Sequence, residues 1–164
     1  MSKVFIVAAK RTAIGSFLGG LSTVHPAQYG SEVVKNILEE TKVPKEKIDE
    51  VVVGNILPAG LGQGVARQVS IGAGIPVSVP AYGLNMVCGS GMKTLMLAYT
   101  SIKAGIHNMV IAGGVESMSL APNLIPSKLR TGFKMGGFTT SDHMIADALT
   151  DAFNNVHMGI TAEN

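Results

Sequence analysis

The chain has a single cysteine, Cys88, so an internal disulfide is excluded. It also lacks a marked charge of either sign. Its 13 Lys and Arg stand against 11 Asp and Glu, a net +2, and the basic residues are scattered. A nucleic-acid or membrane-surface binder needs a clustered cationic excess, so neither partner is expected. No apolar stretch approaches the roughly 20 residues that span a bilayer, because Lys, Glu, Asp or Asn interrupts each one. The first apolar run, Val4 to Ala9, is too short for a signal sequence and meets Lys10 and Arg11 at once. A cytoplasmic protein is therefore expected.

Two further absences narrow the chemistry. His25, His107 and His143 have no second ligand at metal spacing, so no metal site is expected and the three read as surface residues. The glycine-rich segments Gly60-Leu61-Gly62-Gln63-Gly64 and Gly72-Ala73-Gly74 form neither a Walker pattern nor a dinucleotide fingerprint after a strand, which leaves turn and close-packing roles. No internal repeat is present.

At 164 residues with 46% hydrophobic content, the chain can build one domain with a real core. Val4 to Ala9 and Val51-Val52-Val53-Gly54 are short continuous apolar runs, as expected of strands buried on both faces. Pro80 to Asn85 and Met109 to Ala112 are two further strand candidates. Ala27 to Thr41 reads as a helix with Tyr29, Val33, Val34, Ile37 and Leu38 on one stripe, and Pro26 suits its first turn. Helices are also expected over Gln63 to Ala73 and Gly89 to Ala104. This alternation predicts an α/β fold with a mainly parallel sheet and right-handed crossovers.

The helix after Cys88 is apolar all round, with Met92, Leu95, Met96, Leu97, Ala98, Tyr99 and Ile102. Such a helix needs cover on every side, more than one sheet supplies. Beyond Glu116 the chain turns irregular, the texture of a functional loop. Ser141 to Phe153 then reads as a short helix, with Ile145, Leu149 and Phe153 four residues apart.

Cys88 falls between an expected strand and an expected helix, followed by Gly89 and Gly91. A thiol at a helix amino terminus faces backbone N–H groups and the positive end of the dipole, which favour a nucleophilic thiolate. The glycines leave a substrate room to approach the backbone. Such a thiolate can attack a thioester carbonyl while an N–H stabilises the developing oxyanion. Equally, a lone cysteine can be small core filler. The residues alone leave both readings open.

Leu84-Asn85-Met86-Val87-Cys88-Gly89-Ser90-Gly91-Met92-Lys93-Thr94-Leu95 resembles the active-site signature of the thiolases. Arg11-Thr12-Ala13-Ile14-Gly15, Gly113-Gly114-Val115-Glu116-Ser117-Met118-Ser119 and His157-Met158-Gly159-Ile160-Thr161-Ala162-Glu163-Asn164 are similar to thiolase segments in the same order. The resemblance implies a thiolase-like α/β fold, with an N-terminal half-domain over 1–116 and the start of the family's loop region over 117–164. It implies acetyl-CoA acetyltransferase chemistry in which Cys88 is acetylated, acyl-CoA thioesters are the substrates, and no separate cofactor is used. Leu149, His157 and Met158 match positions that line the family's pantetheine and acyl pocket, so they are assigned to substrate binding. The segment Ser119 to Gly137, with Lys128, Arg130 and Lys134, resembles the loop through which the family assembles, and a homodimer or homotetramer follows.

Two departures qualify the resemblance. Gly62-Gln63-Gly64-Val65-Ala66-Arg67-Gln68 lacks the family's Asn-Pro pair. Family members are also more than twice as long, and their catalytic histidine, second cysteine and oxyanion asparagine lie in the half not present here. The chain is therefore expected to be a fragment that is inactive alone. A longer-chain 3-ketoacyl-CoA thiolase and a noncatalytic assembly fragment are the alternatives.

Overall fold

Residues 3–163 are described by a computed structural model. Three parallel strands form its centre: β1 (Glu50–Gly54), β2 (Ala81–Leu84) and β3 (Val110–Gly114), in the order β2-β1-β3. Their register aligns Gly54 with both Leu84 and Gly114, so all three strands end at one edge. The expected parallel α/β architecture is thus present, with strands where three of the four apolar runs placed them.

Three longer helices clothe the sheet. Helix α1 (Pro26–Thr41) opens with His25, whose Nδ1 accepts from Ala27 N–H at 3.2 Å, and with the expected proline in its first turn. Its buried face carries Gly30, Ser31, Val34 and Leu38. A Cβ on Gly30 would lie 2.8 Å from Val69 Cγ2, so the glycine lets α1 press against α2 (Val65–Gly72). Val51 and Val53 share a core with these helices, together with Val69, Ala73 and Ile75. Because strand side chains alternate, Val52, also fully buried, points to the opposite face. Helix α3 (Ser90–Lys103) covers that face, burying only Ser90, Thr94 and Ala98. Thr94 Oγ1 donates to Gly113 O at 3.1 Å and ties the helix to β3.

The all-round apolar reading of α3 therefore meets a one-sided cover. Met92 is 70% exposed, and Leu95, Met96 and Tyr99 are more than half exposed. Gly60, Gly62 and Gly64, all at positive φ, shape the turn into α2, the role expected of that segment.

Two expectations fail. Val4 to Ala9 is not a strand: the segment joins no ladder, and Phe5, Ile6 and Val7 stand 73%, 82% and 70% exposed. A cavity of about 640 Å³, lined by Ile6, Tyr29, Val33, Ile111 and Val115 among others, separates it from β3 and α1. Ser141 to Phe153 is not one helix either. Asn123–Leu124 (β4) pairs antiparallel with Ser141–Asp142 (β5), Ile145–Leu149 makes a single π-helical turn, and Phe153 is 93% exposed. Asp151 ends any helix there, because its carboxylate accepts from the N–H of Phe153 and of Asn154, each at 2.8 Å. A last short helix, α4 (Met158–Ala162), closes the described chain.

Candidate active site

Ligands of open parallel sheets gather beyond the carboxyl ends of the strands, and here those ends lead into residues 55–57, 85–89 and 115–117. Cys88 lies in the middle loop, exposed, two residues before α3. Among the described residues nothing walls the thiol in, unlike a residue that fills a core.

The loop is held by its neighbours. Ser90, 4% exposed, donates from Oγ to Val87 O at 2.6 Å and accepts from Met86 N–H at 2.8 Å. Asn85 Oδ1 accepts from Val87 N–H at 2.8 Å, and its Nδ2 donates to Ile56 O at 3.4 Å. Between these clamps Val87 sits at φ 47°, a left-handed conformation that a β-branched residue adopts only under constraint. The N–H groups of Gly89 and Ser90 donate back to Met86 O and Val87 O.

Beneath the loop the start of α3 rests on bare backbone. A Cβ on Gly54 would fall 2.7 Å from Ser90 Cβ and 2.9 Å from Gly91 N, while one on Gly114 would meet Gly91 Cα at 3.4 Å. Two strand-end glycines thus let the helix that follows the Cys88 loop sit directly on the sheet.

The third loop contributes a half-buried carboxylate. Glu116 accepts from Asn55 Nδ2 at 2.9 Å, Ile56 N–H at 2.8 Å and Leu57 N–H at 3.1 Å, so it bridges the ends of β3 and β1. Burial pushes its carboxyl up, the two backbone N–H groups and the nearby His143 opposing this. Tyr29 donates to the carbonyl of Glu116, and burial, with the Glu116 charge, raises its phenol to about 12. His143 is 5% exposed, not a surface residue as expected, because Asp147 Oδ2 lies 2.8 Å from its Nδ1 and its N–H donates to Pro122 O.

The structure brings Leu149, His157 and Met158 together, but not through Cys88. Leu149 ends the π-helical turn, partly buried. An antiparallel bridge from Thr150 to His157 folds the next residues back, with Asp151 N–H donating to Val156 O at 2.9 Å. His157 caps α4, its Nδ1 accepting from Gly159 N–H at 3.0 Å, and Met158 follows, 37% exposed. This hairpin and the Cys88 loop are held by separate sets of hydrogen bonds.

Sequence reasoning gave no role to Asn55, Asn85, Ser90 or Glu116. Glu116 carried one usable signal, a lone carboxylate two residues after an apolar strand. Asn85 and Ser90 were quoted within the signature, yet nothing in their spacing says that both side chains turn back onto the loop.

Comparison with known proteins adds a family. Residues 4–164 match the family model described as thiolase, N-terminal domain. The cytosolic acetyl-CoA acetyltransferase of Mus musculus is 53% identical over 98% of this chain, and an acetyl-CoA acetyltransferase of Pseudomonas aeruginosa is 51% identical over the whole of this chain. A thiolase from Ascaris suum, solved in complex with coenzyme A, superimposes with a TM-score of 0.87 at 38% identity over 93% of this chain. The chain spans about two fifths of each, 40%, 42% and 39% respectively. With the family model matched over nearly every residue, and the fold shared, the chain belongs to the thiolase family and carries its N-terminal domain.

Proposed function

We propose that Cys88 is the nucleophile of an acetyl-CoA acetyltransferase, taking an acetyl group from one acetyl-CoA for transfer to a second, or running the reverse cleavage. The Cys88 sulfur attacks the thioester carbonyl, the bond to the coenzyme A sulfur breaks, and coenzyme A leaves with the proton. One thioester replaces another, so the exchange needs neither ATP nor a further cofactor. The observation that carries this reading is the exposed thiol at the carboxyl edge of a parallel sheet, immediately before α3.

Condensation also needs a base beside the thioester. The four histidines pair with groups away from Cys88: His25 with Ala27 and Leu61, His107 with Glu50, His157 with Gly159, and His143 through Nδ1 with Asp147, its Nε2 having no partner. Acyl acceptance is assigned to residues 1–164, and proton abstraction is assigned to none of the described residues. Leu149, His157 and Met158 are assigned to the pantetheine and acyl pocket, and 1–116 and 117–164 to the sheet unit and the beginning of the loop region. The relatives' names favour acetyl over longer acyl groups. A cytoplasmic location and a homodimer or homotetramer belong to the same proposal.

A second reading, a noncatalytic assembly half, draws on the bare face of α3. Intact mass after incubation with acetyl-CoA separates the two. The chain is expected to gain one acetyl group, and Cys88→Ala none. Equal silence from both proteins would hand the result to the assembly reading.

A further inference from the structure

We propose that Ser90 and Asn85 are positioning residues that hold Cys88 in line for acyl transfer; this rests on the reading of Cys88 as the nucleophile.

The argument starts from Val87. A valine at φ 47° is disfavoured by its branched Cβ, so an unrestrained loop would relax toward negative φ and swing the next residue, Cys88, with it. Three side-chain hydrogen bonds oppose that relaxation. Asn85 Oδ1 fixes the N–H of Val87, and Ser90 Oγ fixes both the carbonyl of Val87 and the N–H of Met86. The peptide units on both sides of Val87 are therefore pinned, one from each side of the cysteine.

Ser90 has the rigidity the role requires. It is 4% exposed, and its Cβ faces the site of the missing Gly54 side chain. Its hydroxyl cannot swing away without leaving Met86 N–H unpaired. Asn85 is anchored in turn by its amide on Ile56 O, in the turn whose N–H groups Glu116 holds. Displacing a nucleophile by about 1 Å costs on the order of a hundredfold in rate when the reacting geometry is otherwise fixed.

The test uses the full 164-residue chain with Ser90→Ala, Asn85→Ala and a control, Ser101→Ala, which removes a 3.0 Å hydrogen bond to Ala98 O at the far end of α3. Acetylation of Cys88 is followed by intact mass over a range of acetyl-CoA concentrations, and iodoacetamide reports that the sole thiol stays accessible. Ser90→Ala and Asn85→Ala are each expected to lower the maximal acetylation rate about tenfold, the equivalent of about 1.4 kcal/mol. The half-saturating acetyl-CoA concentration and the iodoacetamide rate are expected to stay within about threefold of the parent. Should Ser90→Ala fail to fold, Asn85→Ala, at an exposed position, carries the test alone. A parental maximal rate in either folded variant, or an equal loss in Ser101→Ala, overturns the proposal. If the parent is not acetylated at all, the reading of Cys88 has failed, and amide exchange then judges the clamp. Ser90→Ala must speed exchange at Met86 about tenfold while leaving Val52 unchanged, and unchanged exchange at Met86 refutes it.

Discussion

At Glu116 two physical effects oppose each other, and their balance is measurable. Burial disfavours the carboxylate, while the N–H groups of Ile56 and Leu57 favour it, and the outcome is a carboxyl pushed above its ordinary value of 4.5. A folded-state value raised above the unfolded one gives stability that is complete below 4.5 and fades as pH rises through the folded value. Thermal midpoints taken from pH 4.5 upward should therefore fall for the parent, and Glu116→Gln should flatten that fall. Tyr29, raised from 10.0 to about 12, adds an alkaline counterpart: its contribution is full below pH 10 and disappears as pH passes through about 12. Tyr29→Phe should remove that alkaline loss and cost about 1 kcal/mol at neutral pH, read by urea unfolding, because the carbonyl of Glu116 loses its donor. The glycines after Cys88 marked a close approach without deciding between nucleophile and filler, and only the resemblance of the surrounding signature singled the residue out. Ser90 and Glu116 were not legible, because their roles depend on which way a side chain turns after the chain has folded.

Where elements meet, the small residues decide. Gly54→Ala would place a methyl 2.7 Å from Ser90 Cβ and 2.8 Å from the carbonyl carbon of Ser90, against backbone that cannot yield cheaply. The expected cost is about 1–3 kcal/mol in denaturant unfolding, with a loss of acetyl transfer as the start of α3 lifts. Leu57→Ala, at a site 2% exposed, should cost about 2–5 kcal/mol by the same measurement while leaving the Cys88 loop intact. The strands at 50–54, 81–84 and 110–114 could be read in advance because each is a short apolar run bounded by glycine, proline or a polar turn. Val4 to Ala9 has the same texture and forms no ladder, because a strand is defined by its neighbour and a neighbour is not a local property of sequence. The spacing of Ile145, Leu149 and Phe153 misled for the opposite reason. It is helical in period, but Asp151 captures the backbone N–H groups that a helix would have used.

Across the whole molecule, burial is lopsided. One face of the sheet is sealed by α1 and α2, while the outer side of α3 presents Met92, Leu95, Met96 and Tyr99 to solvent. An apolar patch of this kind drives association. Size-exclusion chromatography of the purified chain is expected to give dimers or larger species, and Met96→Lys to shift them toward monomer without loss of thermal stability. A single sharp monomer peak for the parent would contradict this. The seat of α3 sets a limit on how heat acts. Where the helix meets Gly54 and Gly114, only main chain and the small side chain of Ser90 lie between the mount of the Cys88 loop and the ladder beneath. On warming, acyl acceptance by the proposed nucleophile should therefore vanish on the same curve as the sheet itself, because the seat of its helix has little below it that could soften first.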